Sequence, residues 1–171
     1  LCSAPGGKTF ALAYKMKNRG KIVAYDIHQH KIDEMKKQAK RLGITNIEFI
    51  CGDSSVLKKE NLSKADKVLC DVPCSGLGII GKKPDIRYKN LTGFSLTDTQ
   101  KSILANGYSY LKNGGQLVYS TCSIIKSENE DVVKAFLDSS DTAELLSMKT
   151  FLPHIDGTDG FFTAVIRKRG E

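Results

Sequence analysis

Long apolar runs are missing from this chain of 171 residues, because no apolar segment approaches the roughly 20 residues that a membrane-spanning helix needs. Internal repeats and low-complexity segments are missing as well. With 40% hydrophobic and 26% charged residues, the chain has the composition of an ordinary soluble globular protein of one-domain size. We therefore expect one folded domain and no membrane partner.

Metal-ligand and disulfide patterns are also absent. The five cysteines are odd in number and include no Cys-x-x-Cys pair, and the three histidines are not near them in sequence. An odd number of cysteines argues against a disulfide framework and favours a reducing cytosol, so a cytoplasmic protein is expected. The spacing argues against a zinc site, and no bound metal is expected.

Acidic residues are outnumbered by basic ones, which gives a net charge of +7 and a pI of about 9.1. The excess is uneven: residues 8–41 contain ten Lys or Arg against three Asp or Glu, and further basic clusters lie within 82–89 and at 167–169. Such clusters are typical of proteins that bind nucleic acid. A solvated basic face explains the charge alone equally well.

Apolar runs alternate with helical periodicity along the chain, which predicts a doubly wound, mostly parallel sheet. The predicted strands cover residues 21–26, 47–51, 67–70, 116–120 and 161–166. Helices are predicted at 8–17 and 98–111. Another is predicted from the inward-facing positions 32, 35, 39 and 42, with Gly43 as its C-cap. A fourth should follow a capping box at 127–130. Residues 73–97 form the longest irregular stretch.

Two cysteines each follow at once on a predicted buried strand: Cys74 in Asp-Val-Pro-Cys-Ser-Gly, and Cys122 in Tyr-Ser-Thr-Cys-Ser. Ligands of open α/β sheets lie outside the carboxyl ends of the strands. Both thiols should therefore face one crevice, which suggests sulfur chemistry on a bound substrate. Spacing leaves open which thiol attacks.

Three acidic residues end successive predicted strands, namely Asp26, Asp53 and Asp71. One such acid would be explained by capping of the helix that follows. Three in order, at the edge of the sheet where ligands bind, favour a ligand site.

A glycine-rich loop, residues 3–9, joins a strand end to a helix start, where backbone amides favour anionic groups. Its Gly-Lys-Thr resembles a P-loop, but the P-loop pattern needs glycine at Cys2, so an NTPase is disfavoured. Asp26 lies 20 residues after Gly6, the offset at which an acid binds ribose hydroxyls. With Asp53 near adenine, this is the layout of an S-adenosylmethionine site.

The motifs together resemble the RsmB/Sun (Fmu)-like RNA (cytosine-5) methyltransferases of the Nop2/NSUN superfamily. Those that carry the resemblance occur in the family's order: Cys-Ser-Ala-Pro-Gly-Gly-Lys-Thr at 2–9, Asp26, Asp53, Asp-Val-Pro-Cys-Ser-Gly-Leu-Gly at 71–78, and Ser-Thr-Cys-Ser at 120–123. Lys-Pro-Asp-Ile-Arg at 83–87 and Asp-Gly-Phe-Phe at 159–162 resemble the RsmB branch in particular.

The resemblance implies a Rossmann-like class I S-adenosylmethionine-dependent methyltransferase fold, with a mostly parallel seven-stranded sheet and one antiparallel strand at 161–166. Residues 1–171 would be its catalytic domain. The first strand and an upstream RNA-binding region would lie outside this sequence, so we expect the chain to be part of a longer protein.

The resemblance also implies the roles of single residues. Cys122 maps onto the nucleophile, and Cys74 maps onto the cysteine that helps to release the product. Asp71 would contact both the cytosine and the cofactor. The remaining positions assigned to S-adenosylmethionine are Cys2, Ser3, Ala4, Pro5, Gly6, Gly7, Lys8, Asp26 and Asp53.

We expect the protein to be a monomer and its partner to be RNA. The RsmB resemblance implies that this RNA is small-subunit ribosomal RNA. The predicted RNA-contacting loop is 79–90, through Lys82, Lys83, Arg87 and Tyr88, with a flexible solvated loop as the alternative. Other functions stay open: a tRNA cytosine-5 methyltransferase, an enzyme that methylates exocyclic nitrogens, and a non-catalytic RNA-binding or ribosome-assembly factor.

Overall fold

The structure, a computed structural model, describes residues 1–88 and 96–170. The chain divides into two compact units, Leu1–Ser54 and Ser55–Glu171. Residues 89–90, at the end of the predicted RNA-contacting loop, lie outside the described residues. Among those described, no helix combines the length and the apolar character that crossing a membrane requires.

The first unit is a helix–strand repeat. Its elements are α1 (Gly7–Lys15), β1 (Ile22–Asp26), α2 (Gln29–Arg41) and β2 (Ile47–Cys51). The two strands pair in parallel, with Ile22 opposite Ile47 and Asp26 opposite Cys51. Their carboxyl ends therefore lie side by side, as predicted for consecutive strands of a doubly wound sheet.

Helix α2 buries the predicted face only in part. Ile32, Met35 and Ala39 are buried, but the prediction for Leu42 is wrong, because this side chain follows the last helical residue and is 49% exposed. Gly43 ends the helix as predicted. Its N–H and that of Ile44 donate to carbonyl oxygens of the last turn, the arrangement of a Schellman motif.

The second unit contains a four-stranded mixed sheet in the order β3-β4-β6-β5. Its strands and helices are β3 (Ala65–Asp71), α3 (Thr97–Tyr110), β4 (Leu111–Thr121), α4 (Glu130–Asp138), β5 (Ala143–Phe151), α5 (Pro153–Asp156) and β6 (Phe161–Lys168). β3 and β4 are parallel, and β6 is antiparallel to both of its neighbours. The predicted antiparallel strand at 161–166 is thereby confirmed.

The core of this unit lies where the sheet packs against helices. Leu117 and Tyr119 of β4 and Phe162 of β6 are fully buried, and so is Leu104 of α3. Strand β5 was not predicted. Its pairing with β6 shifts register between Leu145 and Ser147, and such a bulge interrupts the period-two alternation that marks a strand in sequence.

The start of α4 differs from the prediction. A capping box at 127–130 is wrong, because Asn129 occupies the N-cap position and no side chain caps the helix. Ser127 is exposed, whereas Glu128 and Asn129 are buried. These two polar side chains point instead at the loops that follow β3 and β4.

Candidate active site

The two cysteines of the prediction meet in the second unit. Strands β3 and β4 are parallel neighbours, with Asp71 opposite Ser120 at their carboxyl ends. Cys74 lies three residues beyond the first strand end, and Cys122 directly follows the second. Their Sγ atoms are 3.2 Å apart, so both thiols face the same point.

The sulfur contact raises the pKa of Cys74. The pKa of Cys74 is raised well above the ordinary range, chiefly by its hydrogen bond to Cys122 and then by burial. Backbone N–H groups of Gly76 and Cys122 oppose this rise more weakly. The raised pKa keeps a proton on Cys74, and this proton can be donated in the sulfur contact, where either thiol can be the donor.

Asp71 lies at the carboxyl end of β3, on the same segment as Cys74. Its Oδ1 accepts a hydrogen bond of 2.8 Å from the Ser120 hydroxyl on β4. The side chain is half-buried, and the bond fixes the orientation of its carboxylate. An acceptor held in this way can recognise an amino group on a base or a ligand.

The backbone of three loops approaches closely beside Cys122. The Gly78 N–H donates to the Cys122 carbonyl oxygen at 2.9 Å, and the Gly160 N–H donates to the Gly78 carbonyl oxygen at 2.8 Å. A Cβ atom on Gly78 would lie 2.8 Å from the Cys122 carbonyl oxygen and would overlap the Gly160 carbonyl group. Only glycine at position 78 permits this approach.

We expect Gly78→Ala to displace the Cys122 loop, because all of the atoms it meets belong to backbone. The unfolding free energy should fall by about 1–3 kcal/mol, and turnover should fall by about 100-fold. Urea unfolding measures the first effect, and an assay of the methyl transfer that the resemblance implies measures the second. Gly81→Ala is the matched control for the unfolding measurement, because a Cβ there meets nothing within 4 Å. Equal effects of both substitutions would contradict this reading.

Sequence reasoning missed the bonds among five polar residues next to the two cysteine loops. The Glu128 carboxylate accepts from the Ser75 N–H at 2.8 Å and from the Ser75 hydroxyl at 2.6 Å. Asn129 accepts from Thr121 Oγ1 at 2.6 Å and donates to the Ser123 carbonyl oxygen at 3.0 Å. The signal that could have revealed them is a repeat: each candidate cysteine is followed at once by serine.

In the first unit, the Asp26 carboxylate organises the glycine-rich loop. Its Oδ2 accepts from the Ala4 N–H at 3.0 Å, and its Oδ1 accepts from the His28 N–H at 3.1 Å. The Ser3 N–H donates to the Tyr25 carbonyl oxygen. Asp26 is 7% exposed, and each carboxylate oxygen can accept a further bond, so the loop can be fixed while a ligand hydroxyl is bound.

The rest of the predicted cofactor loop turns into α1. Gly6, with φ of 106°, adopts a backbone conformation that favours glycine, and Gly7 begins the helix. Cys2 is half-buried, whereas Pro5 and Lys8 are exposed. Asp53 lies two residues beyond β2 and is half-buried. Asp26 thus ends β1, and Asp53 follows the adjacent end of β2, while Asp71 belongs to the second unit.

The predicted RNA-contacting side chains are exposed. Lys82 pairs with Asp159 at 2.6 Å, which locally balances its charge. Lys83 and Arg87 are exposed, and Tyr88 is 89% exposed. Ile86, between them, is buried and anchors the segment.

The model of the family described as "16S rRNA methyltransferase RsmB/F" matches residues 1–167. The chain belongs to this family. Membership of the RsmB/F family confirms the resemblance drawn from the motifs at 2–9, 71–78 and 120–123.

Relatives of the RsmB/F family share sequence and fold with the chain. The Bacillus subtilis protein named "Probable ribosomal RNA small subunit methyltransferase B" is 38% identical over 99% of the chain. NSun6 from Pyrococcus horikoshii, solved with SFG, is 31% identical with a TM-score of 0.87, over 100% of the chain and 47% of that protein. A methyltransferase homologue from the same organism is 34% identical with a TM-score of 0.81, over 97% and 59%. The methyltransferase fold is thereby confirmed.

The match to the RsmB/F family covers a part of each longer relative. The chain spans 42% of the length of the Bacillus subtilis protein. The site formed by Cys74 and Cys122 lies within this shared part.

Proposed function

We propose that this chain is the catalytic part of an enzyme that uses S-adenosylmethionine to methylate carbon 5 of a cytosine in small-subunit ribosomal RNA. The observation that carries the proposal is the 3.2 Å contact between the Cys74 and Cys122 sulfur atoms at the ends of parallel strands. Methylation of an exocyclic nitrogen needs no thiol, so that chemistry would leave the pair unexplained.

Cys122 supplies the nucleophile in this proposal. Carbon 5 of cytosine is a poor nucleophile, but addition of a thiolate at carbon 6 gives carbon 5 enamine character. The attacking sulfur must be deprotonated. The raised pKa of Cys74 supports this assignment, because a protonated Cys74 donates a hydrogen bond to a charged Cys122 sulfur.

Asp71 recognises the base that is attacked. Its carboxylate can accept from the cytosine amino group, and in its protonated form it can donate to N3 as charge develops on the ring. The hydrogen bond from Ser120 holds it in one orientation. A hydrogen-bond donor fixed before the reaction stabilises this charge without reorganisation at the moment of attack.

Cys74 serves the second half of the reaction. Once carbon 5 carries the methyl group, its proton passes to water, the double bond between carbons 5 and 6 is restored, and the bond from carbon 6 to Cys122 breaks. The departing Cys122 sulfur becomes a thiolate, to which the Cys74 S–H donates. The hydrogen bond that raises the pKa of Cys74 thus stabilises the leaving group.

The residues of the first unit fit the methyl donor. When bound, S-adenosylmethionine supplies an electrophilic methyl group. The turn at Gly6 and the start of α1 present backbone N–H groups to an anion, which suits the carboxylate of an amino acid. Asp26, buried and fixed by two backbone bonds, would accept from ribose hydroxyls, and Asp53 would accept from the adenine amino group.

We expect the exposed basic segment that contains Lys82, Lys83 and Arg87 to bind RNA phosphates. Reversing both Lys82 and Lys83 to glutamate should weaken RNA affinity and reduce the slope of log K against log salt by about 1–2, because each lost phosphate contact removes about 0.7–0.9. Binding titrations from low to moderate salt measure the slope. The matched control reverses Lys112, also ion-paired, together with the exposed Lys134. An equal change in the control would remove this segment from the contact surface.

The proposed function is tested by deleting the gene for the complete protein and sequencing bisulfite-treated RNA. We expect one cytosine of small-subunit ribosomal RNA to lose its protection, and complementation to restore it. Loss of protection in tRNA instead would change the substrate. Unchanged protection of every cytosine would overturn the proposal and favour an assembly factor.

A further inference from the structure

A chain of buried hydrogen bonds connects the two cysteine loops behind the thiols. The Ser75 and Ser123 hydroxyl oxygens are 3.1 Å apart, and each serine directly follows one of the candidate cysteines. Ser75 is 8% exposed and Ser123 is fully buried, so bonds lost here cannot be replaced readily by water.

The direction of the chain follows from a count of donors. The only hydroxyl proton of Ser75 is donated to the Glu128 carboxylate, so the Ser123 hydroxyl must donate to Ser75. Ser123 Oγ in turn accepts from the Ile125 N–H at 3.0 Å. Every bond in the chain thus points towards Glu128, which also accepts the Ser75 N–H. The carboxylate fixes the segment that carries Cys74.

Asn129 acts on the other cysteine. Its side chain bonds the Thr121 hydroxyl and the Ser123 carbonyl, which lie on either side of Cys122 along the chain. The Ser123 N–H also donates to Thr121 Oγ1, so the loop is closed around position 122. Asn129 is fully buried. Neighbouring residues at the start of α4 therefore support different cysteines.

We propose that Glu128 and Asn129 are positioning residues for separate halves of the reaction: Asn129 orients Cys122 for attack, and Glu128 holds Cys74 in place for release. The assignment rests on the proposed function of the cysteines. It explains why two buried polar residues precede a helix that their side chains do not cap.

Glu128→Ala leaves the N–H and the hydroxyl of Ser75 without their acceptor, so the Cys74 segment should shift. Turnover should fall by about 100-fold, the effect of a displacement of about 1 Å. RNA should remain covalently bound to Cys122, because only release is impaired.

Asn129→Asp places a carboxylate oxygen against the Ser123 carbonyl oxygen. Turnover should fall by a similar factor, but no covalent RNA adduct should accumulate.

The experiment uses the complete protein with its RNA substrate and S-adenosylmethionine. Turnover, RNA affinity and the fraction of enzyme in a denaturation-resistant RNA adduct are measured for each variant. Glu128→Gln tests the mechanism with little change in volume: the amide can accept the Ser75 N–H and donate to its hydroxyl. The turnover of Glu128→Gln should lie within about tenfold of the wild-type value. The amide restores the bond to the Ser75 hydroxyl, with donor and acceptor exchanged. Glu130→Ala is the matched control, because this carboxylate accepts from Thr150 and not from a cysteine loop.

Two further outcomes decide between positioning and general destabilisation. In a Cys74→Ala background, Glu128→Ala should not slow product release further. If Glu128 were only structural, the double variant would turn over more slowly than Cys74→Ala. Loss of turnover in Glu128→Ala without an adduct, or an adduct in Asn129→Asp, would overturn the assignment.

A measurement without RNA separates this inference from the proposed function. Diamide, an azodicarboxamide oxidant, takes two electrons and two protons from a pair of neighbouring thiols and is itself reduced to the hydrazine. Disulfide formation between Cys74 and Cys122 should be slowed about tenfold or more by Glu128→Ala and be unchanged by Glu130→Ala. An unchanged rate in Glu128→Ala would refute the positioning role, even if the wild-type protein methylates cytosine. A slowed rate in a protein that methylates no cytosine would instead refute the proposed function alone.

Discussion

Replacement of Cys122 by alanine should reduce RNA methylation by more than about 10⁴-fold and leave no covalent RNA adduct. Carbon 5 gains its nucleophilic character only through a bond from sulfur to carbon 6, so neighbouring groups cannot compensate for the loss. The fold should persist, because the side chain is small and lies at the end of β4. Transfer of a labelled methyl group from S-adenosylmethionine to RNA measures the activity of the complete protein.

Cys70→Ala is the control for the loss of a thiol. Cys70 is fully buried on β3, and its Sγ lies 3.9 Å from the Ile103 carbonyl oxygen. Some stability should be lost, but turnover should be retained. A stable RNA adduct in Cys122→Ala would reverse the roles of Cys122 and Cys74.

The meeting of the two cysteines could be predicted because it depends on local patterns and one general rule. The apolar runs within the predicted strands 67–70 and 116–120 identify buried strands, and parallel strands bring their carboxyl ends to the same edge. The 3.2 Å contact between the sulfur atoms could not be predicted, because it depends on loop geometry. The Gly78 N–H bond to the Cys122 carbonyl is part of that geometry.

Glu128 and Asn129 show where reading from sequence fails. Ser-x-x-Glu before an apolar helix predicts a capping box from local spacing alone. In the structure, Glu128 bonds a loop that is distant in sequence, because Ser75 lies 53 residues away. Asn129 bonds Thr121 and Ser123 on either side of Cys122. The free-energy cost of leaving a buried donor without its acceptor exceeds the gain from capping an exposed helix end. Tertiary bonding therefore replaces the local motif.

Replacement of Cys74 by alanine should convert the enzyme into one that forms the RNA adduct but releases it slowly. The departing Cys122 thiolate loses the S–H that lies 3.2 Å away, so release should slow by about 10²–10⁴-fold, the usual range for loss of a general acid. The adduct, carrying the transferred methyl group, should survive denaturation and appear as a shifted band on gels. Cys74→Ser, whose hydroxyl can still donate, should accumulate less of it.

The pH dependence gives a separate check on the proton of Cys74. The Cys122 sulfur and burial raise the pKa of Cys74, so its thiol stays protonated across pH values at which an ordinary cysteine, with a pKa of about 8.5, ionises. The stabilising S–H is present below the raised pKa and would be lost only above it. Release by the wild-type enzyme should therefore not slow between about pH 7 and 9. Release that slows with a midpoint near 8.5, in the wild type but not in Cys74→Ala, would show that Cys74 ionises as an ordinary thiol and would contradict its role as a donor.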